Sequence, residues 1–402
     1  MKRTLLFLDY WSLREPLTQA TVMPTLHMVL EDRLADRIVL VTVERGSRAV
    51  SGPAELGEGI VHRPLVAGRA WPRALSRAWD VLGMVPRIAA IAREERVANV
   101  MARGVVAGGL AHFVHRRTGI PYAVDYVEPH NEYMTDVGEW TRGGALDRGL
   151  AWLIKAQLRS ARFGVTVANN YLERLVAMGV PRSKLLNAPC PVDVVRMRFD
   201  QAQRTSLRAH HGWGDARIGV YAGKFGGLYH REHAFRAFAE AQRHAGDGYV
   251  TIILTPQPED EVRAGLRAAG YAGERVLVRY AEHHEVPAYL SAADFAFAPY
   301  RATPSSACIS PMKLGEYWAS GLPVLLSRGV GDDSAIIERE LFAGALFDPL
   351  GADLAVGMAR IQNILTMPDQ RTHTGELAAR YRSMEFTRQA YRRILGGATA
   401  SA

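Results

Sequence analysis

Short apolar runs alternate with segments of helical spacing along almost the whole chain, and that alternation restricts the fold more than any other feature. In the first half the runs are Leu5–Leu8, Ile38–Val43, Val97–Met101, Tyr122–Tyr126 and Gly164–Val167. They are short, rich in β-formers and without strict polar alternation, as expected of strands buried on both faces. Helical spacing fills the gaps at Gln19–Leu34, Trp71–Val85, Gly104–Arg117, Ala145–Arg162 and Tyr171–Met178. Strands alternating with helices imply a parallel sheet covered on both sides. The rhythm breaks at Pro189–Asp193, and the polar, irregular stretch Arg196–Arg217 reads as a hinge. It then restarts, with strands expected at Ile218–Ala222, Val250–Leu254, Arg275–Val278, Phe295–Ala298 and Pro323–Leu325. Helices fit Glu232–Arg243, Pro258–Ala268, Val286–Ala292, Pro311–Ala319, Asp333–Glu340 and Ala352–Thr366, and Glu385–Leu395 reads as a last helix. The expected fold class is α/β, with two Rossmann-like doubly wound domains: 1–198, 199–384, and a terminal helix in 385–402 packing back towards the first domain. Two such domains in tandem are expected to face each other across a cleft at the carboxyl ends of both sheets, where ligands bind in these folds.

Composition narrows the class. A length of 402 residues suits two domains, and 48% hydrophobic with 22% charged residues excludes disordered and fibrous classes. No apolar stretch reaches the roughly 18 residues of a membrane span, and Asp9 ends the opening apolar run too early for a secretory signal core. Two cysteines, Cys190 and Cys308, build neither a disulfide framework nor a zinc site. The expected address is the cytoplasm, with no metal. The net charge of +8 is uneven: residues 1–200 hold 27 Lys+Arg against 20 Asp+Glu, and residues 201–402 hold 22 against 21. Among 49 basic residues only Lys2, Lys155, Lys184, Lys224 and Lys313 are lysines, so each one bears inspection.

Two lysines fall in segments suited to phosphate. In Ser310–Val324 (SPMKLGEYWASGLPV), Ser310 reads as an N-cap, Pro311 as the first helical residue, followed by Met312 and Lys313 in the first turn, with Glu316 three residues on from Lys313. A helix start offers free N–H groups and the positive end of the dipole, which suit a diphosphate, and the carboxylate suits ribose hydroxyls. By itself this segment reads equally well as a capped helix with a surface Lys–Glu pair. Tyr221–Leu228 (YAGKFGGL) follows an expected strand and precedes a helix; Gly223, Gly226 and Gly227 allow close backbone approach, and Lys224 adds a cation.

Together these segments resemble the retaining, GT-B-type glycosyltransferases of family 4 (glycosyl transferases group 1). The family's strand–Gly–Arg/Lys loop corresponds to Gly223–Lys224, and its closing Glu–x–x–Ala–x–Gly–x–Pro–Val pattern to Glu316–Val324. Val165–Ala168, Ser183–Asn187, Val192–Asp193 and Val286–Pro299 extend the likeness over roughly residues 85–345. The resemblance implies transfer of a sugar from a nucleotide diphosphate sugar, with retained configuration and no metal or other cofactor. Protein cations would stabilise the leaving diphosphate. Lys224, Lys313 and the Ser310 helix start are then the diphosphate candidates, Glu316 the ribose ligand, and the backbone near Arg279–Tyr280 the base contact. Three departures stand out: Ile309 where an earlier glutamate is common, Tyr229 where a second basic residue is usual, and Asp9–Arg14 in place of a glycine-rich turn after the first strand.

In the first domain, Asp125, Glu128 and His130 lie just past a strand end and could bind the acceptor or the transferred sugar, or merely cap loops; Glu128 and His130 are the chosen pair. Cys308 reads as a small buried residue and His283–His284 as a solvated turn without carboxylate partners. Arg69, Arg73 and Arg77 flank a Trp71–Leu75–Trp79–Leu82 face; the tryptophans alone read as an ordinary helix packing on the sheet, and with the first-half charge surplus the segment suits an anionic membrane. The leading expectation is a cytoplasmic glycosyltransferase, peripheral on the inner face of the plasma membrane. It would act on a glycan or lipid-linked acceptor in surface polysaccharide or glycolipid synthesis. The alternatives are a GT-B-fold nucleotide-sugar epimerase and an inactive glycosyltransferase-like binding protein. Nucleic acid is not an expected partner, because no basic–aromatic module appears.

Overall fold

Both sheets are built almost wholly from parallel strands, most of them separated by helices, as the alternation requires. The computed structural model describes residues 3–45, 54–67, 73–246, 248–348 and 353–396, with the side chains of 54–55 and 73–82 excepted. The chain divides into two compact units, Met1–Pro189 with Glu385–Ala402, and Cys190–Met384. The division after Pro189 replaces the boundary expected at 198/199. The reason is local: Cys190 N–H donates to Ser310 Oγ (3.1 Å) and Val192 N–H to the Arg382 carbonyl (2.9 Å), which knits this stretch into the second unit.

The first unit's sheet runs in the order Ala54–Glu55, Ile60–His62, Arg37–Glu44, Thr4–Asp9, Val97–Arg103, Tyr122–Tyr126, Phe163–Thr166, Leu185–Asn187, with Leu65–Val66 also pairing with Arg37–Glu44. Among the described strands only the Ala54–Glu55 pairing is antiparallel. The strand order reverses direction between Thr4–Asp9 and Val97–Arg103, whose last residues Asp9 and Arg103 are in register. Helix Met384–Gly396 belongs to this unit: Arg388 and Arg392 donate to Asp32 (2.9 and 3.0 Å), and Tyr391 is buried.

The second unit's sheet runs Val276–Arg279, Val250–Leu254, Ile218–Ala222, Phe295–Ala298, Val324–Ser327, Gly344–Phe347, parallel throughout. Its order reverses between Ile218–Ala222 and Phe295–Ala298, and ligands in open α/β sheets bind beyond the carboxyl ends of the strands at such a point. The stretch expected to be an irregular hinge contains helix Gln201–His210, started by Asp200, whose carboxylate accepts from Ala202 and Gln203 N–H (2.8 and 3.0 Å). Arg204 and Arg208 on that helix clasp Asp294 (2.7 and 3.0 Å). This helix is polar along most of its length because it is held against helix Val286–Ala292 by its arginines, which bind Asp294 and the carbonyls of Ser291–Ala293, and that hid it from a hydrophobic-period reading. No helix among the described residues is long and apolar enough to cross a membrane.

One charged cluster secures the second unit beneath the helix Met312–Ala319. Arg382, 2% exposed, donates to Ser310 Oγ and to the Asp333 carboxylate, itself 1% exposed. Removing one partner of a buried ion pair strands the other charge, at a cost of about 3–5 kcal/mol. R382M is therefore expected to lower the thermal midpoint by roughly 10 °C, at a few degrees per kcal/mol. The R382M/D333L double variant should recover part of that loss. Equal midpoints for wild type and R382M in calorimetry would show the pair to be energetically silent.

Candidate functional site

The glycine loop leaves strand Ile218–Ala222 at the reversal point of the second sheet and is tied down on every side. Gly223 N–H donates to the Leu254 carbonyl (2.8 Å), Tyr221 Oη to the Lys224 carbonyl (2.7 Å), and Ala222 N–H to Tyr317 Oη (2.9 Å). Gly223, Gly226 and Gly227 all take positive φ (145°, 106° and 61°), so the three glycines are required by the backbone itself.

Lys313 reaches this loop from the first turn of Met312–Ala319. Its Nζ lies 4.1 Å over the ring of Tyr229, 4.6 Å from that of Tyr221 and 5.7 Å from that of Tyr300. A Cβ added at Gly223 would stand 2.7 Å from the same nitrogen, so the bare Cα is what leaves the ammonium room. The residue is 9% exposed, and its Nζ has no hydrogen-bond partner among the described residues. Burial pulls its pKa down to about 7, with Glu316 opposing.

Ser310 and Pro311 differ from expectation. The helix begins at Met312 with Pro311 as its cap, and Ser310 makes no capping bond. Its hydroxyl instead accepts from Arg382 and from Cys190 N–H, because a buried guanidinium is a stronger claimant than the helix amides. The Leu314 N–H is taken by the Pro311 carbonyl (3.2 Å), which leaves the first two amides of the turn as the ones a helix start offers an anion. Cys308 is buried, as a small core residue would be.

Glu316 is mostly buried, and His283 Nε2 lies 3.3 Å from its Oε1. The His283–His284 turn is exposed as expected, but His283 has the carboxylate partner that the sequence reading denied it. The two are far apart in sequence, which is why spacing missed the pair. Arg279 is occupied: Nη2 donates to Glu285 (3.2 Å), Nε to the Tyr280 carbonyl (3.0 Å), and its carbonyl accepts from Thr255 N–H (2.8 Å). The Tyr280 ring, 58% exposed, is what this segment presents outward. Lys224 is exposed. Beyond the loop, His230 caps helix Arg231–Ala245 and stacks on His233 at 3.6 Å. Burial and the neighbouring His230 push His233 down to about 4, so the pair adds no charge at neutral pH.

In the first unit, His130 Nδ1 and Glu128 Oε1 form a hydrogen bond of 2.7 Å, with His130 stacked on Tyr133 at 6.0 Å and edge-on to Trp140 at 6.2 Å. The two chosen residues are thus one half-buried pair that can accept and donate protons. Asp125 belongs to a different group. Registers Asp9↔Arg103 and Arg103↔Asp125 line up acid, base and acid across three adjacent strand ends. Burial lifts Asp125 to about 6 against the pull of Arg103. Of the basic tryptophan segment, Arg69 and Trp71 lie outside the described residues, as do the side chains of Arg73, Leu75, Arg77, Trp79 and Leu82.

No family model matches the sequence, and no curated protein matches it. Solved structures do. Sucrose-phosphate synthase from Thermosynechococcus elongatus superposes with a TM-score of 0.74 at 15% identity, over 98% of this chain and 100% of that one. HepE of Anabaena, solved in complex with UDP, gives 0.70 at 14% over 99% and 100%. Trehalose 6-phosphate synthase from Burkholderia multivorans gives 0.71 at 12% over 100% and 99%. At such identities likeness speaks to architecture, and the architecture is the GT-B fold.

Proposed function

We propose that the chain is a glycosyltransferase that moves a sugar from a nucleoside diphosphate sugar to an acceptor. The observation that carries this reading is the ammonium of Lys313: nine-tenths buried, unpartnered, and aimed at a bare glycine Cα beside a helix start at the sheet's reversal point. A lysine kept dry there, its Nζ without a hydrogen-bond partner among the described residues, is suited to an anion that arrives with the substrate and restores its charge. Lys313 and the first amides of Met312–Ala319 receive the diphosphate, and the exposed Lys224 closes over it. The His283–Glu316 pair takes the ribose hydroxyls, one member donating and the other accepting, and the Tyr280 ring stacks on the base. The complexes of HepE with UDP and with UDP-glucose support a uridine donor. As the bond between sugar and phosphate breaks, the oxygen left on the diphosphate keeps the electron pair, and fixed cations stabilise it without reorganising. Glu128–His130 positions the acceptor hydroxyl or the transferred sugar. The resemblance to family 4 supports retention of configuration, independence of metal, and a glycan or lipid-linked acceptor in surface polysaccharide or glycolipid synthesis. Peripheral contact with an anionic membrane from the cytoplasmic side completes the reading.

The direct test is a panel of nucleotide sugars, reading thermal stabilisation and slow hydrolysis of the donor. K313A and K224A should each weaken nucleoside diphosphate binding by about 1–3 kcal/mol, the scale of a charge-assisted hydrogen bond, while K184A does little. Equal, small effects in calorimetry at all three positions would remove the assignment.

The pH dependence follows from the Lys313 ammonium. Between its folded pKa of about 7 and its unfolded value of 10.5, the unfolded chain holds a proton that the empty folded site lacks, so this residue's contribution to stability rises with pH across that window. Below pH 7 the lysine is charged in both states and its burial costs most. K313M should therefore raise the melting temperature more at pH 6 than at pH 9.5. A diphosphate restores the charged form, so from pH 7.5 upward its affinity should fall by up to about tenfold per pH unit in wild type and stay flat in K313M. A flat profile in both proteins would show that Lys313 holds its proton in the empty site.

Transfer should also survive EDTA. Complete loss on chelation, restored by Mn²⁺ or Mg²⁺, would point to a metal-assisted leaving group instead.

A further inference from the structure

Three neighbouring helices of the first unit, Arg73–Glu94, Gly104–Thr118 and Ala145–Ser160, present an unusual outer face. The middle and last are pressed together through glycine. A Cβ on Gly108 or Gly109 would stand 2.4 Å from Gln157 or Leu153, so these two helices meet almost backbone to side chain. The last helix buries Ile154, Gln157 and Leu158. Arg148, Trp152, Lys155 and Arg159, three and four residues apart, form one exposed stripe on its other side. Trp152 is 61% exposed, and Leu146 at the head of the helix is 53% exposed. Neither arginine nor the lysine makes an ion pair among the described residues. The helix's one carboxylate, Asp147, is engaged elsewhere, accepting from Asn131 Nδ2 (2.8 Å) and Gly143 N–H (2.7 Å). On the middle helix, Arg116 and Arg117 are exposed and border an open groove of ≈ 410 Å³ whose apolar wall is Val85, Pro86 and Phe113.

Three cations flanking a solvent-facing indole on one helix and two more beside the groove on its neighbour, none in an ion pair among the described residues and with no exposed acid on the Trp152 stripe, are complementary to a dense negative surface. The apolar parts decide which surface. Duplex nucleic acid rewards the cations but gains nothing from an exposed leucine or an apolar groove. The headgroup zone of a bilayer takes all three, because an indole sits at the boundary of water and acyl chains and arginine stems lie along apolar surface with their heads at phosphate depth.

We propose that this face of the first unit, centred on Trp152 and the Arg148–Lys155–Arg159 stripe, docks on an anionic lipid bilayer, with the groove between Val85 and Phe113 receiving an acyl segment under Arg116 and Arg117. This rests on the functional reading, deepens its membrane contact, and assigns that contact to side chains other than the Arg69–Leu82 arginines and tryptophans of the sequence pattern.

The test is co-sedimentation of the full chain with vesicles of phosphatidylglycerol and phosphatidylcholine, and with phosphatidylcholine alone. Wild type should bind the mixed vesicles at low salt, be largely released at high salt, and leave the neutral vesicles empty. At roughly 1 kcal/mol per cation near the surface, R148E/K155E/R159E should lose binding at least about a hundredfold. Quenching of tryptophan fluorescence by brominated lipid should fall in W152F. Both variants should keep the wild-type melting temperature and nucleoside diphosphate affinity, which separates lost docking from lost folding. Wild-type protein that ignores anionic vesicles yet binds nucleoside diphosphate would overturn this proposal alone. Vesicle binding without any nucleoside diphosphate binding would overturn the functional reading alone. A triple-Glu variant that binds vesicles as wild type does, or vesicle binding competed away fully by duplex RNA, would also defeat the bilayer assignment.

Discussion

Removing an ammonium from water costs several kcal/mol even after the protein relaxes, and the tyrosine rings around it return only part of that, about 2 kcal/mol for a well-placed dry contact. The shortfall at Lys313 is what the second unit is arranged around. Tyr221, Tyr229 and Tyr300 come from different segments, and the isolated bridges Gly226↔Tyr229 and Tyr229↔Tyr300 fold the loop back so that the rings converge. Gly223 must be glycine twice over, for its φ of 145° and for the 2.7 Å that separates its missing Cβ from Nζ. Glu316 offsets only part of the cost of burial, so the lysine sheds its proton near neutrality.

That arrangement survives only if the helix carrying Lys313 is held at its root, which is the task of Arg382. The guanidinium spans Ser310 before the helix and Asp333 beyond the next strand, and its carbonyl takes Val192 N–H from the start of the unit. Gly315 meets the stem of Arg382 at 3.1 Å from its absent Cβ, so the helix sits directly on this side chain. The serine that looks like a cap is therefore a ligand of the brace. Sequence proximity to a helix start and function at that start have separated here, because a buried charge outbids an amide for the hydroxyl.

How much could be read in advance follows from which interactions are local. Strands Tyr122–Tyr126, Ile218–Ala222, Val250–Leu254 and Phe295–Ala298 agree to the residue, since an apolar run bounded by turn residues is a local signal. Gly344–Phe347 was missed: it is a short edge strand with a glycine forced by the approach of Val324. Helices Gln201–His210 and Gln370–Tyr381 escaped because ionic and hydrogen-bonding contacts, such as Arg204 and Arg208 with Asp294, replace an apolar stripe. Lys313 was legible as the rare lysine in a helix start, but its aromatic cage was not, since the rings are distributed over nearly eighty residues of chain. His283 with Glu316, and Asp9 with Arg103 and Asp125, are likewise pairings that only strand register and loop return create.

The first unit shows what takes the place of a glycine-rich turn after the first strand. Glu44, buried at the end of Arg37–Glu44, accepts from Ser12 Oγ, from Leu13 N–H at 3.0 Å and from Thr42 Oγ1, and Thr42 Oγ1 also meets His62 Nε2 at 2.8 Å. Burial would raise this carboxyl, but the three hydrogen bonds outweigh it and hold the group below its ordinary range. Asp9 receives Trp11 N–H at 3.1 Å on the same turn, so two carboxylates fix the segment from both ends. A glycine turn leaves its amides open to a ligand; this one spends them on Asp9 and Glu44. On the function proposed above, electrostatic stabilisation of a departing diphosphate is assigned to the second unit's cations, because the amides of this turn are already engaged by Asp9 and Glu44.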